Sequence, residues 1–232
     1  MDVWQRGRRI HWKRGFFARR SHTQEFKTNL ITLQKHKNDV WEIKINRPEK
    51  ANSLSSSMLE ELLSIFDKAA EARGVVLTGQ GTTFSAGADL NEVKSGLAIS
   101  PIWEKLSEKI AKLNCITIAA LNGTVAGGAF GMILACDIRI CVSKARFFYP
   151  VMKMGFLPQP SDPNRLIRLI GPSRAKLMLV AGEKIDADTA YRFGLVDEIV
   201  EDEELIDRAH TLLSASLSAN QNHVSSIKKL LS

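Results

Sequence analysis

Two stretches of this 232-residue chain are built from residues small enough to bring the backbone itself up to a reacting group. The first is Phe84-Ser85-Ala86-Gly87-Ala88-Asp89-Leu90, which follows an apolar strand and the turn Gly79-Gln80-Gly81. The second is Leu121-Asn122-Gly123-Thr124-Val125-Ala126-Gly127-Gly128-Ala129-Phe130-Gly131, joining a strand to a helix. Glycine and alanine leave room for a ligand at the main-chain N–H groups. Gly128 falls at a helix start, where N–H groups lack intrahelical partners and the dipole favours negative charge. Two such donors aimed at one carbonyl oxygen make an oxyanion hole, commonly the largest single catalytic contribution. Taken alone, each stretch also reads as close helix packing. Neither is a dinucleotide-binding GxGxxG or a phosphate loop with its Lys-Ser/Thr.

The elements that must position these turns are short strands alternating with helices. Leu30–Gln34 and Val40–Ile45 read as strands around Asn38-Asp39, and Val75–Thr78 as a buried strand. Met58–Ala72 carries Leu59, Leu62, Leu63, Ile65 and Phe66 at helical spacing. A second unit follows: helix 102–113, strand Thr117–Ala120, helix Gly128–Cys136 and strand Ile138–Val142. Beyond Pro163 the chain reads as helical over Asn164–Ile170, Ser173–Val180, Ala187–Phe193, Glu203–Ala219 and His223–Leu231. The alternation predicts an α/β protein. Periodicity does not separate a doubly wound sheet from a coil of repeated ββα turns.

The net charge of +7 is unevenly placed. Residues 1–27 carry eight Lys/Arg against Asp2 and Glu25, so nearly all the excess lies in an N-terminal arm. The arm lacks an apolar secretory core; it reads as a disordered extension, a mitochondrial presequence or a phosphate- or RNA-touching segment. The expected division is therefore arm 1–27, core 28–200 and C-terminal helices 201–232. No apolar run is long enough for a membrane span. Cys115, Cys136 and Cys141 lack ligand spacing and sit in apolar runs, which predicts buried free thiols and a reducing compartment. The cytoplasm is expected, with the mitochondrial matrix as the alternative.

Together and in this order, the two turns resemble the crotonase (enoyl-CoA hydratase/isomerase) superfamily. The likeness runs from about Leu30 to about Ile227. It includes Ile45-Asn46-Arg47-Pro48 with Asn52-Ser53-Leu54, Val76-Leu77-Thr78-Gly79, Phe84–Leu90, Ala120–Gly123, Gly127-Gly128, Cys136-Asp137-Ile138 and Ala187 through Gly194-Leu195-Val196. The resemblance implies a crotonase-like spiral of repeated ββα turns followed by C-terminal helices. It implies an acyl-CoA thioester threaded between the turns, its oxygen on the N–H groups of Ala88 and Gly128. The CoA moiety would lie along Arg47, Lys50, Ala51, Ala86, Asp89 and Leu90; Lys50 is either a phosphate partner or a solvated turn lysine. No cofactor beyond that CoA is expected, no metal, and no nucleic-acid or membrane partner. Homo-oligomers built from trimers are implied, although the chain stops several dozen residues before typical relatives do.

The sequence departs from the hydratases of that family at the two glutamates that manage water. By count those positions are Gly131 and Val151. Adding water across a double bond needs an acid and a base, each worth roughly 10²–10⁴-fold, and neither residue can serve. Candidate proton donors are Asp162 and Tyr149. Asp162 also reads as a helix cap before Pro163, and Tyr149 as a buried structural tyrosine. Gln159 occupies the place of a carboxylate that some relatives carry. The five histidines lie away from the motifs, and Lys153 faintly resembles a segment of decarboxylating relatives. The expected function is acyl-CoA processing through a thioester enolate, by decarboxylation or isomerisation and not hydration. The alternatives are an inactive acyl-CoA-binding or assembly protein, and RNA binding through the arm.

Overall fold

The computed structural model describes residues 25–27, by their backbone, and 30–231. Apart from the 25–27 strand, the arm reading lies outside the described residues. The chain opens on an antiparallel set: β1 (Glu25–Lys27), β2 (Ile31–Lys35) and β3 (Val40–Ile45). Asn38 and Asp39 make the β2–β3 turn at φ 61° and 56°, a left-handed conformation that Asn and Asp tolerate. From β3 the chain runs through an irregular loop into α1 (Ser56–Lys68). Ser55 Oγ caps that helix by accepting from Met58 N at 3.3 Å, and Met58, Leu59, Leu62 and Phe66 are buried on one face.

The following passages repeat one scheme: a longer strand, a three-residue strand, then a helix. The second runs β4 (Gly74–Gly79), β5 (Thr83–Ser85), the single turn α2 (Leu90–Val93) and α3 (Ile102–Ala111). The third is β6 (Ile116–Leu121), β7 (Thr124–Ala126) and α4 (Ala129–Ala135). The fourth is β8 (Ile138–Val142), β9 (Arg146–Phe148), α5 (Val151–Met154) and α6 (Asp162–Leu179), the last bent at Gly171. Then come β10 (Ile185–Asp186), α7 (Ala187–Phe193), β11 (Glu198–Val200), α8 (Leu205–Ser218) and α9 (Gln221–Leu230).

The longer strands, with β1 and β11 at the two edges, form a seven-stranded sheet in the order β1-β2-β3-β4-β6-β8-β11, parallel from β3 onward. The remaining short strands form a second sheet, β10-β9-β7-β5. Each passage thus lays one strand in each sheet, which is the spiral of ββα turns that the resemblance implied. The second sheet has no period in the sequence because its strands are two or three residues long. α8 belongs to the core: it buries Leu205, Ala209 and Leu213, and a Cβ on Gly74 would lie 2.9 Å from Leu213 Cδ1.

Asn52 fixes the loop after β3. It is fully buried at φ 53°, accepts from Arg47 N at 2.8 Å, and donates to the carbonyls of Gln80 and Thr83 at 2.9 and 2.6 Å. Asn52→Ala removes three partly buried hydrogen bonds and should cost about 3 kcal/mol. Urea unfolding checks this as a lowered midpoint at unchanged slope; a loss below about 1 kcal/mol would show that the loop is held by something else.

Candidate acyl-thioester site

The loop after β5 spends its main-chain donors in an ordered way. Ala86 N–H donates to Ala51 O, Gly87 N–H to Ser85 Oγ and Asp89 N–H to Leu54 O, while Leu54 N–H donates to Gly87 O. These last two bonds form a parallel bridge between Leu54 and Ala88. In that pattern the bridged residue's own N–H points away from its partner. Ala88 N–H accordingly has no protein acceptor among the described residues. The loop before α4 behaves alike. Gly127 N–H donates to Phe148 O, Phe130 N–H to Gly127 O and Gly131 N–H to Gly128 O, which leaves Gly128 N–H unpaired among the described residues. The two loops touch through backbone: a Cβ on Gly87 would lie 2.7 Å from Ala126 O and 3.2 Å from Gly128 N. Trp103 supports them from below, its ring 3.0 Å from where a Gly128 Cβ would be.

Ala88 and Gly128 line one cavity of about 650 Å³ including its open mouth. Ala86, Leu90, Trp103, Tyr149, Val151, Met154 and Gln159 share the wall, and no Asp, Glu, Lys or Arg does. Behind the wall sits Asp162. The helix-cap reading of this residue is corrected: Ser161 holds the N-cap position of α6, and Asp162 is turned inward instead. Asp162 Oδ2 accepts from the Tyr149 hydroxyl at 2.9 Å, while Oδ1 is buried with no partner. Arg165, the nearest cation along the helix, spends its Nη1 on Ser107 Oγ. Desolvation is therefore the main influence, and it raises the Asp162 carboxyl from an ordinary 3.8 to about 7, opposed in part by the Tyr149 bond. Burial, then the neighbouring carboxyl, pushes the Tyr149 phenol far upward, so it keeps its proton at any physiological pH. Tyr149 also stacks on Phe130 with centroids 5.2 Å apart and accepts from Gln159 N–H at 3.4 Å.

Residues 35–232 match the sequence profile of the family described as Enoyl-CoA hydratase/isomerase. The chain belongs to that family. It is 35% identical over 199 residues to the short-chain-enoyl-CoA hydratase of Clostridium acetobutylicum, covering 82% of this chain and 76% of that protein. It is 29% identical over 187 residues to the ethylmalonyl-CoA decarboxylase of Pongo abelii, covering 77% of this chain and 62% of that one. The crystal structure of an enoyl-CoA hydratase from Bacillus anthracis superposes with a TM-score of 0.81 at 32% identity, over 88% of this chain and 82% of that one.

Within this family fold the departures acquire a spatial reason. A Cβ at Gly131 would lie 3.3 Å from Asp162 Oδ1, so the Asp162 carboxyl occupies the space into which a side chain at 131 would grow. Val151 lies on the cavity wall at the start of α5. Of the residues assigned by resemblance to CoA, Arg47 is committed elsewhere: its Nη1 lies 2.5 Å from Asp89 Oδ2 and 3.2 Å from Ser53 O. Asp89 in turn caps α2 by accepting from Asn91 N–H. Ala86 and Leu90 line the cavity, whereas Lys50 and Ala51 are exposed on the turn before α1. Lys153 is exposed on α5. The three cysteines are buried and free, and desolvation raises their thiols to about 11 for Cys115 and about 12 for Cys136 and Cys141. Among the described residues no helix is long and apolar enough to cross a membrane. Sequence reasoning missed one grouping, His36 with Glu42 and His210, because His210 is far from the other two in the chain and the three share no motif.

The raised Asp162 carboxyl makes stability depend on pH. The folded protein keeps this proton where the unfolded chain releases it. Its contribution is full below pH 3.8 and is lost as the pH climbs to about 7. The loss is at most about 4 kcal/mol for a shift of this size. Urea unfolding should therefore find wild type less stable at about pH 8 than at about pH 5, and Asp162→Asn should flatten that slope. An unchanged slope in the variant would assign the dependence to another group.

Proposed function

We propose that the chain is an acyl-CoA enzyme that makes a thioester enolate by decarboxylating a malonyl-type thioester. The observation that carries this reading is the composition of the cavity wall: two unpaired N–H groups, one tyrosine backed by a buried carboxyl, and no carboxylate. The thioester oxygen would accept from Ala88 N–H and Gly128 N–H, donors best placed about 2.7–3.1 Å from the developing oxyanion. The bond to the departing carboxylate breaks, CO₂ leaves, and its electron pair becomes the enolate held by those donors. No base is required. An apolar wall favours the step further, because the charged carboxylate is poorly solvated there and CO₂ is neutral.

The enolate carbon then takes a proton from Tyr149. The phenol can give it only if one returns, and the nearest source is Asp162 on the other side of its oxygen. A carboxyl near half-protonation at neutral pH suits that task. The same pair supports isomerisation as a second reading, with Asp162 accepting a proton through Tyr149 and returning it to another carbon. Hydration is disfavoured because no wall residue can activate water. The relative named as a decarboxylase supports the first reading. RNA binding through the arm falls outside the described residues.

A panel of malonyl-, 3-enoyl- and 2-enoyl-CoA esters, followed by mass spectrometry, tests the choice. Loss of CO₂ from a branched or unbranched malonyl ester is expected, with negligible hydration of crotonyl-CoA. Tyr149→Phe should slow turnover by roughly 10²–10⁴-fold with thioester binding retained. Hydration should not return in the Gly131→Glu, Val151→Glu double variant unless Asp162→Ala is added, since the Asp162 carboxyl fills the space at 131. Binding of every ester without turnover of any would leave an acyl-CoA-binding protein and sink the enzyme reading.

A further inference from the structure

The β2–β3 hairpin and α8, the helix packed across β4, β6 and β8, bring together three side chains that acyl-CoA chemistry does not use. His36 precedes the turn between β2 and β3, Glu42 is in β3, and His210 is on α8. None of them lines the cavity. Glu42 Oε2 lies 3.1 Å from His36 Nε2 and 3.7 Å from His210 Nε2. One possible ligand atom from each residue lies within 4.8 Å of the other two, and no other group of three is so placed among the described residues. The imidazole rings meet edge to face with centroids 4.7 Å apart.

This spacing suits a small divalent ion. A tetrahedral centre with bonds of about 2.0–2.2 Å holds neighbouring N and O donors roughly 3.3 Å apart, and the two measured distances lie on either side of that value. Two imidazoles and one carboxylate are a donor set for zinc and its neighbours, not for magnesium or calcium. Burial is graded in a useful way: the Glu42 side chain is 7% exposed and each histidine 29%. The carboxylate is thus fixed from beneath, while the imidazole side opens to water that can complete the coordination. Of the Glu42 carboxylate, Oε2 is the oxygen turned toward both histidines. Lys44 Nζ lies 3.3 Å from the other oxygen, Oε1, which leaves Oε2 facing the histidines.

We propose that His36, Glu42 and His210 form a zinc-class divalent metal site that ties α8 to the β2–β3 hairpin. Because its ligands come from a hairpin and from a helix far along the chain, an ion bound there would stabilise the folded chain over the unfolded one.

Titration of the full chain with Zn²⁺ at neutral pH, followed by calorimetry and thermal melting, tests this. One ion per chain and a raised melting temperature are expected, with no shift from Mg²⁺. Co²⁺ in place of Zn²⁺ should develop the visible bands of a tetrahedral nitrogen–oxygen site without thiolate charge transfer, a readout that needs no variant to fold. His36→Gln and His210→Gln each keep an amide that can bond Glu42, and each should lower affinity by more than the roughly 10–100-fold that loss of a ligand's own hydrogen-bond partner costs. Lys44→Ala should leave binding equal or tighter. Absence of zinc binding, a cobalt spectrum with thiolate bands, or binding that survives both histidine variants unchanged would overturn the site.

Discussion

The cavity depends on main chain touching main chain, Gly87 against Ala126–Gly128. Any side chain at 87 would press on Ala126 O at 2.7 Å, and φ there is 87°, where only glycine rests without strain. Two stretches of backbone can lie this close only if their polar groups are already satisfied. The small sheet does this for one side, through β7 paired with β5 and β9. Asn52, Ser85 and the Leu54 bridge do it for the other. The N–H groups of Ala88 and Gly128 are left over once their neighbours Gly87, Asp89 and Gly127 are committed. Donors fixed in this way pay no reorganisation when charge develops beside them, which is why backbone donors serve so well against an oxyanion.

The second constraint is one of volume. A side chain at 131 would press on the carboxyl of Asp162, which lies 3.3 Å from where the added Cβ would be, and glycine at 131 avoids that contact. A carboxyl therefore remains in the neighbourhood, but it enters from α6 and stands behind Tyr149 instead of facing the cavity. That displacement changes what the group can do. A carboxylate on the wall can hold and deprotonate water directly; one behind a phenol can only exchange protons through it.

Much of this was legible in the residues. The two glycine turns, their order and the apolar runs of β4, β6 and β8 gave the spiral through the family they resemble. Gly131 and Val151 stood out because a carboxylate is easily seen to be missing. The small sheet was not legible, since three-residue strands such as Thr124–Ala126 carry no alternation and look like turns. Nor was the burial of Asp162. Asp-Pro at a helix start is locally a capping signal, and only the packing of α6 against α4 turns the side chain inward. His36, Glu42 and His210 meet through the sheet and α8, a tertiary contact with no local trace.

Two of the buried carboxyl groups, Glu42 and Asp162, show that donors, not depth, decide a carboxyl's state. Glu42 and Asp162 are both almost wholly shielded from water, yet one is lowered to about 2 and the other raised to about 7. Glu42 is faced by His36, His210 and Lys44, which stabilise its charge by more than desolvation costs. Asp162 is given one phenol and an empty side, so desolvation prevails. Arg165, one helical turn away, is tied to Ser107 and acts on Asp162 only through its charge. A fold that can ionise one buried carboxyl fully and withholds a donor from another keeps the second poised near neutrality, at the one place where it touches a tyrosine on the cavity wall. Strongly perturbed groups cluster at functional sites, and here the perturbed group sits behind Tyr149, a residue of the cavity wall.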